Sequence, residues 1–389
     1  MDTSLLKKTA IQCIALMIAV ITFSYALKQY QTITIQANGQ IIGEVVHDIH
    51  IEDSKSSLYD RNYKVDQTIK QKLGMNYLMI KKPEGKKVEI TLDDLYRKQS
   101  IGLTISGSTD KVQIQDIIRI QGDQVYRGYP LEANSSSSID IQGGDPCKSI
   151  TITQNKDPET KSYTDKILLQ LDKIYAYIIY EDATNFYIDL RKPSEVYDKI
   201  IVIDAGHGGK DSGAISKNGN YYEKNINLDI ITQLQKLLNE SSIKVYYTRI
   251  DDSTTYLKQR SNLANMVDCD YFISIHCNAN DSSSPNGSEI LYTNKQLKGI
   301  FNEDLANLFS RELESSIPLK NRGIVKKNHK DVYIMDKALV PMVLIEVGYV
   351  TNNKDMNFLS KLENRKTIAK GIYHGIMKAY EQLPVVQTY

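Results

Sequence analysis

Residues 200–213 read Ile-Ile-Val-Ile-Asp-Ala-Gly-His-Gly-Gly-Lys-Asp-Ser-Gly. An unbroken apolar run, Ile200 to Ile203, leads into Asp204 and then into a glycine-rich loop that carries His207. A run of this kind reads as a strand buried on both faces, as in the middle of a parallel sheet. The glycines let the chain turn sharply and keep bulk away from the histidine. Two further apolar strands end in the same way: Tyr271 to Ile275 runs into His276, and Met342 to Ile345 runs into Glu346. Glu223 opens a helical pattern whose apolar face is Ile226, Ile230, Leu234, Leu237 and Leu238. Taken singly, these groups have ordinary readings. A strand-end histidine is a satisfied structural residue, and a glutamate at a helix start is a favourable first-turn charge. Taken together they converge, because the carboxyl ends of strands in an open α/β sheet face one crevice. Two His and two Glu are the inventory of a catalytic zinc site, with three ligands and one carboxylate to work on water.

The pattern beyond Ile200 alternates between strands and helices. Strands are expected at Val245 to Tyr247, Tyr271 to Ile275, Ser288 to Tyr292, Val332 to Met335 and Met342 to Val347. Helices are expected at Glu223 to Glu240, Tyr256 to Met266, Leu297 to Leu313 and Arg365 to Leu383. Such alternation predicts an α/β sheet with helices on its faces.

The chain of 389 residues has room for more than this. Thr9 to Leu27 carries no charge over about 19 residues, close to the ~20 that span a bilayer core as a helix. Lys7 and Lys8 precede it, which places residues 1–8 in the cytoplasm and the remainder outside. A cleaved signal peptide is the rival, with Ser24-Tyr25-Ala26 as its cleavage site, but the apolar run is long for that purpose. Either way the functional part is exported. Residues 28–195 read as a β-rich, sandwich-like region. A hairpin is expected around Asn38-Gly39, followed by short alternating runs at Val88 to Leu92, Leu103 to Ile105, Val112 to Ile114 and Ile150 to Ile152. Asn134 to Ser138 is a polar loop, and Lys166 to Tyr180 with Phe186 to Leu190 forms a last hairpin. His47 and His50 lack a ligand partner nearby and read as surface residues, as does His329; His374 reads as a helix-face residue. Arg191-Lys192-Pro193-Ser194 marks the boundary with residues 196–389. A net charge of +1 gives no support to nucleic-acid binding. The four cysteines contain no Cys-x-x-Cys pair, so neither a disulfide framework nor a thiolate zinc site fits.

At its motifs the sequence resembles the zinc-dependent N-acetylmuramoyl-L-alanine amidases, cell-wall hydrolases of the amidase 3 type. The pieces are D-A-G-H-G-G-K-D-S-G (Asp204 to Gly213), E-K-N-I-N-L (Glu223 to Leu228), Y-T-R-I-D-D (Tyr247 to Asp252) and L-K-Q-R-S-N-L-A-N (Leu257 to Asn265). They continue with S-I-H-C-N-A-N (Ser274 to Asn280), N-R-G (Asn321 to Gly323) and P-M-V-L-I-E-V-G-Y-V-T-N (Pro341 to Asn352). The resemblance covers Lys199 to about Leu383. It implies a mixed sheet flanked by helices and one zinc ion held by His207, Glu223 and His276, with Glu346 as the catalytic glutamate. The substrate it implies is peptidoglycan, cut between the lactyl group of N-acetylmuramic acid and the L-alanine of the stem peptide. The β-rich region is weakly similar to wall-targeting modules.

Around this core several roles stay open. Asp204 either orients a ligand histidine or bonds loop N–H groups, and Asp211 shapes the glycine loop. Arg249 and Arg260 either meet stem-peptide carboxylates or pair with Asp251, Asp252 or Asp268. Cys277 points away from the site by strand alternation, and Glu289 is the next candidate base after Glu346. Some relatives plug the cleft with an inserted helix; the short polar segment Cys277 to Asn286 has no room for one, which predicts an open cleft and a domain from Val196 that is active alone on soluble muropeptides. Two rival functions remain. A zinc peptidase of the carboxypeptidase type shares the ligand inventory, but the motifs at Gly206 to Gly213 and Pro341 to Asn352 favour the amidase. A catalytically inactive wall-binding protein would not need all four metal-site residues.

Overall fold

The structure is a computed structural model that describes residues 65–386, leaving out residues 66, 86, 129–143 and 329. The expected anchor Thr9 to Leu27, the Asn38-Gly39 hairpin, His47, His50, the loop Asn134 to Ser138 and His329 lie outside the described residues. Among the described residues no helix is long and apolar enough to cross a membrane.

After one helical turn, α1 (Gln67–Lys70), the residues before Pro193 form two antiparallel sheets. Their strands are β1 (Asn76–Lys81), β2 (Glu89–Leu95), β3 (Ser100–Ser108), β4 (Ile117–Gln121), β5 (Gln124–Tyr126), β6 (Cys147–Lys156), β7 (Tyr163–Leu171), β8 (Ala176–Glu181) and β9 (Asn185–Arg191). One sheet has the order β5-β4-β1-β9-β8, the other β2-β3-β7-β6. They share a core: Leu78, Ile80, Phe186 and Ile188 from the first meet Ile101, Leu103, Ile105, Ile167 and Leu169 from the second. Alternate residues of β7 face inward, as period-two patterning requires. The first sheet also buries its far face, where Tyr77, Met79, Ile118 and Tyr187 pack with Val65 and Ile69.

Two strand assignments in this region need correction. Lys166 to Tyr180 is not one strand; the chain leaves β7 after Leu171 and starts β8 at Ala176 in the other sheet. Val112 to Ile114 is not a strand either. The Asp116 carboxylate accepts a bond from the Gln113 N–H at 2.8 Å and closes a 3₁₀ turn at Ile114–Asp116.

From Ile200 onward the strands are β10 (Ile200–Ala205), β11 (Lys244–Tyr247), β12 (Tyr271–Asn278), β13 (Ser288–Thr293), β14 (Gln296–Leu297), β15 (Ile300–Phe301), β16 (Asn321–Lys327) and β17 (Met342–Tyr349). The helices are α2 (Glu223–Leu238), α3 (Leu257–Met266), α4 (Asn302–Ser316), α5 (Tyr333–Lys337), α6 (Asn353–Leu359) and α7 (Leu362–Gln382). A six-stranded sheet has the order β11-β10-β12-β17-β13-β16. β11, β10, β12 and β17 run parallel, and β13 joins β17 antiparallel, so the sheet is mixed. One face buries Ile201, Ile203, Tyr271, Ile273 and Ile275 against α2, α4 and α7. The opposite face buries Ile200, Val202, Phe272 and Met342 against α3 and α5. That two-sided cover is why the apolar run has no polar face. Three local expectations give way. Val332 to Met335 enters helix α5 and packs beside Leu263 and Ala264 of α3. The helix expected from Leu297 starts at Asn302, after the small β14–β15 hairpin. Polar Asn321 to Lys327, not foreseen as a strand, closes one edge of the sheet.

At the other edge, β11 meets the β-rich region. The Tyr96 hydroxyl accepts from the Tyr247 N–H at 2.8 Å and donates to the Tyr247 carbonyl at 3.1 Å. Beside it, the buried Lys244 ammonium pairs with Asp94 at 2.9 Å and lies over the rings of Tyr197 and Tyr246.

Candidate active site

Strands β10, β12 and β17 stand next to one another, so their carboxyl ends open on one crevice. Register places His276 opposite Glu346, and Ala205 opposite Ile275. The chain leaves β10 into the glycine loop, and the loop returns at Glu223, the first residue of α2. His207 Nε2 lies 3.1 Å from Glu223 Oε2, and His276 Nδ1 lies 3.0 Å from Glu223 Oε1. One ligand atom from each of the three residues lies within 4.8 Å of the others. Groups that share one tetrahedral ion at about 2.1 Å sit roughly 3.4 Å apart, so this set fits zinc in spacing and in donor chemistry.

The surroundings fix each donor. Glu223 is buried and takes N–H bonds from Ala214 and Cys277, each at 2.9 Å. Burial alone would raise its pKa; hydrogen bonds and charge from His207 and His276 outweigh that and hold it far below the usual carboxylate range. Burial pulls the His207 pKa down, but Glu223 and Asp211 more than offset this and lift it to about 9. Gly206 is required sterically, since a Cβ there would collide with the His276 ring. At Gly213 φ is +63°, and a Cβ would come within 2.6 Å of Glu223 Oε2 and of the His207 ring.

Asp211, rather than Asp204, orients a histidine: its Oδ2 lies 2.8 Å from His207 Nδ1, which leaves Nε2 facing Glu223. It also accepts the Gly213 N–H at 3.1 Å and so shapes the loop as expected. The spacing His207-x-x-x-Asp211 was the available signal. Asp204 sits beneath the site, fully buried, with hydroxyls of Thr248 at 2.5 Å and Ser274 at 2.6 Å and the guanidinium of Arg260 at 2.5 Å. Burial raises its pKa, but Arg260, His276 and the two hydroxyls prevail and keep it ionised.

Arg249 and Arg260 do not face the crevice, and they do not take the aspartates expected for them as their main partners. Arg249 is buried and donates to the carbonyls of Ala205 at 3.0 Å, Gly206 at 2.9 Å and Lys224 at 2.8 Å. Arg260 donates to the carbonyls of Ala205 at 2.6 Å and His207 at 2.7 Å. The glycine loop turns these oxygens inward, and the two arginines satisfy them. Asp204→Ala strips the carboxylate from buried Arg260, and a stability loss of ~3–5 kcal/mol is expected in denaturant unfolding. A loss under 1 kcal/mol would mean the carbonyls alone hold that charge.

Glu346 is set apart from the other acids. Its Oε2 is buried and has no hydrogen-bond partner among the described residues. Burial, aided by Glu223 and Glu289, pushes its pKa up to about 7 against the opposing pull of His276. That is the range of a group able to take and return a proton near neutrality. Glu289 has both oxygens engaged, by Asn278 at 2.7 Å and Arg322 at 2.8 Å, and is not a free base. Cys277 points into the apolar core, as alternation requires. His374 is exposed on α7. Between β12 and β13 there is no helix.

Residues 201–378 match the Amidase_3 family, described as N-acetylmuramoyl-L-alanine amidase. The chain is 35% identical to the N-acetylmuramoyl-L-alanine amidase LytC of Bacillus subtilis over 185 residues, which is 48% of this chain but 36% of LytC. It is 30% identical to the germination-specific N-acetylmuramoyl-L-alanine amidase of the same organism over 198 residues, 47% of this chain and 81% of that protein. Among solved structures, an N-acetylmuramoyl-L-alanine amidase from Clostridium difficile 630 is 32% identical, with a TM-score of 0.45, covering 47% of this chain and 97% of that one. The chain belongs to the N-acetylmuramoyl-L-alanine amidase family of peptidoglycan hydrolases.

Proposed function

We propose that this chain is a zinc-dependent amidase that cuts peptidoglycan between N-acetylmuramic acid and the L-alanine of the stem peptide. The observation that carries this reading is the meeting of His207, Glu223 and His276 beside the unpartnered, buried Oε2 of Glu346. The three residues would hold zinc, which when bound supplies a Lewis acid for the scissile carbonyl and acidifies water. Glu346 Oε2 takes a proton from the attacking water as its oxygen bonds the lactyl carbonyl carbon. The same carboxyl then returns the proton to the alanine nitrogen as the C–N bond breaks. Asp211 keeps His207 in the tautomer that turns Nε2 toward the metal site. The charge-free run Thr9 to Leu27 supports a membrane anchor with residues 196–389 outside the cell, where the wall is, and residues 28–195 between them as a wall-facing β-rich module.

The test is digestion of purified peptidoglycan by the full chain, with and without a chelator, followed by mass analysis. Free lactyl carboxyl groups on muramic acid and new alanine N-termini are expected, and both vanish with chelation. Release of terminal amino acids instead would favour the carboxypeptidase reading. A zinc-loaded protein that yields no products would favour an inactive wall-binding domain.

A further inference from the structure

The Asn321-Arg322-Gly323 motif has no part in the metal site, yet it lies on β16, two strands from the strand of Glu346 with β13 between them. Glu289 on β13 stands directly opposite Glu346 on antiparallel β17. Residues so paired present their side chains on one face. Glu289 is mostly buried and anchors Arg322 through the Nε bond at 2.8 Å. A bulge makes this possible. Ser288 pairs with Asn321 and Ile290 with Ile324, so Glu289 alone faces two residues, Arg322 and Gly323. Gly323 takes a φ of +81° and is held by Asn321 Oδ1 at 2.7 Å. Bulges of this sort re-aim a side chain. The guanidinium then lies 5.3 Å from the centre of the Tyr349 ring, three residues after Glu346. Its Nε is engaged, while Nη1 and Nη2 have no hydrogen-bond partner among the described residues, and the side chain is 33% exposed. Arg249 and Arg260, by contrast, spend their donors on loop carbonyls.

An anchored guanidinium with its two terminal nitrogens open matches a carboxylate, which it can grip with a planar fork. We propose that Arg322 binds a carboxylate of the stem peptide, the one on the residue that follows the alanine. This rests on the amidase reading. Strands lie about 4.8 Å apart, and a peptide residue advances the chain by about 3.5 Å. β16 lies two strands from β17, so the Arg322 side chain, drawn toward Glu289 on the strand between, would have to span the second interval to meet a carboxylate one residue beyond the alanine.

Two muramyl peptides decide it, identical except that the residue after L-alanine carries a free α-carboxylate or its carboxamide. With the zinc-loaded full chain, kcat/KM is expected to be about 10- to 100-fold higher for the carboxylate, mostly through KM. Arg322→Ala removes that preference, so that the two peptides are cut with the same kcat/KM. Arg322→Lys keeps a charge beside Glu289, guarding the fold, and retains part of the preference. Equal cleavage of both peptides by the wild type overturns the inference, as does a variant that loses both activities in the same ratio. Failure of the zinc-loaded wild type to cut either peptide overturns the amidase reading itself, and this inference with it.

Discussion

Glu346→Gln is expected to leave a folded protein that still takes up zinc and to lower turnover by about 10²–10⁴-fold. The substitution keeps shape and hydrogen-bonding capacity while removing the basic oxygen. The buried Oε2 of Glu346 has no partner to lose, so the fold is little affected. Glu346 is not among the three groups whose donor atoms converge, so metal content is preserved. The check is a metal assay alongside a rate on muropeptides. Lost zinc would make Glu346 a ligand, and near-normal turnover would place the base elsewhere. Glu289 is a poor substitute, because Asn278 and Arg322 already occupy both of its oxygens.

Removing a ligand acts in the opposite order, on metal first and activity as a result. His276→Ala is expected to weaken zinc binding by well over the ~10–100-fold typical of losing an outer partner. It leaves His207 and Glu223 as the remaining donors, too few for a three-ligand catalytic site. Asp211→Asn supplies the internal scale, since it disturbs only the partner of His207 Nδ1 and so costs about 10–100-fold. Titration of the metal-free proteins with zinc reads both. Full occupancy in the His276→Ala protein at stoichiometric zinc would sink the ligand assignment.

Much of this arrangement is legible in the chain because it is set by local pattern. Ile200 to Ile203 has no polar face, so it must be covered twice, and a parallel sheet then delivers His207, His276 and Glu346 to one end. What escaped is decided by partners distant in sequence. Whether Arg249 and Arg260 face substrate or backbone depends on which carbonyls the glycine loop turns inward, and no periodicity encodes that. The Arg322–Glu289 pair depends on a bulge between strands that are 33 residues apart at those positions. Val332 to Met335 is too short for strand and helix periods to differ, and packing on α3 settled it. Asn321 to Lys327 lies at a sheet edge, where a polar sequence is tolerated and the alternation that marks a strand fades.

The Tyr96 hydroxyl that both accepts from and donates to Tyr247 stands in for a seventh strand at the β11 edge. An uncovered strand edge is a template for pairing with another chain. In the intact protein that edge is occupied by a side chain, with the Asp94–Lys244 pair alongside it. The β-rich region therefore covers the backbone of β11 at Tyr247, a position where another strand could otherwise pair. A recombinant in which residues 196–389 are grafted onto a different upstream module is expected to leave the Tyr247 backbone uncovered, unless the new module brings its own group there.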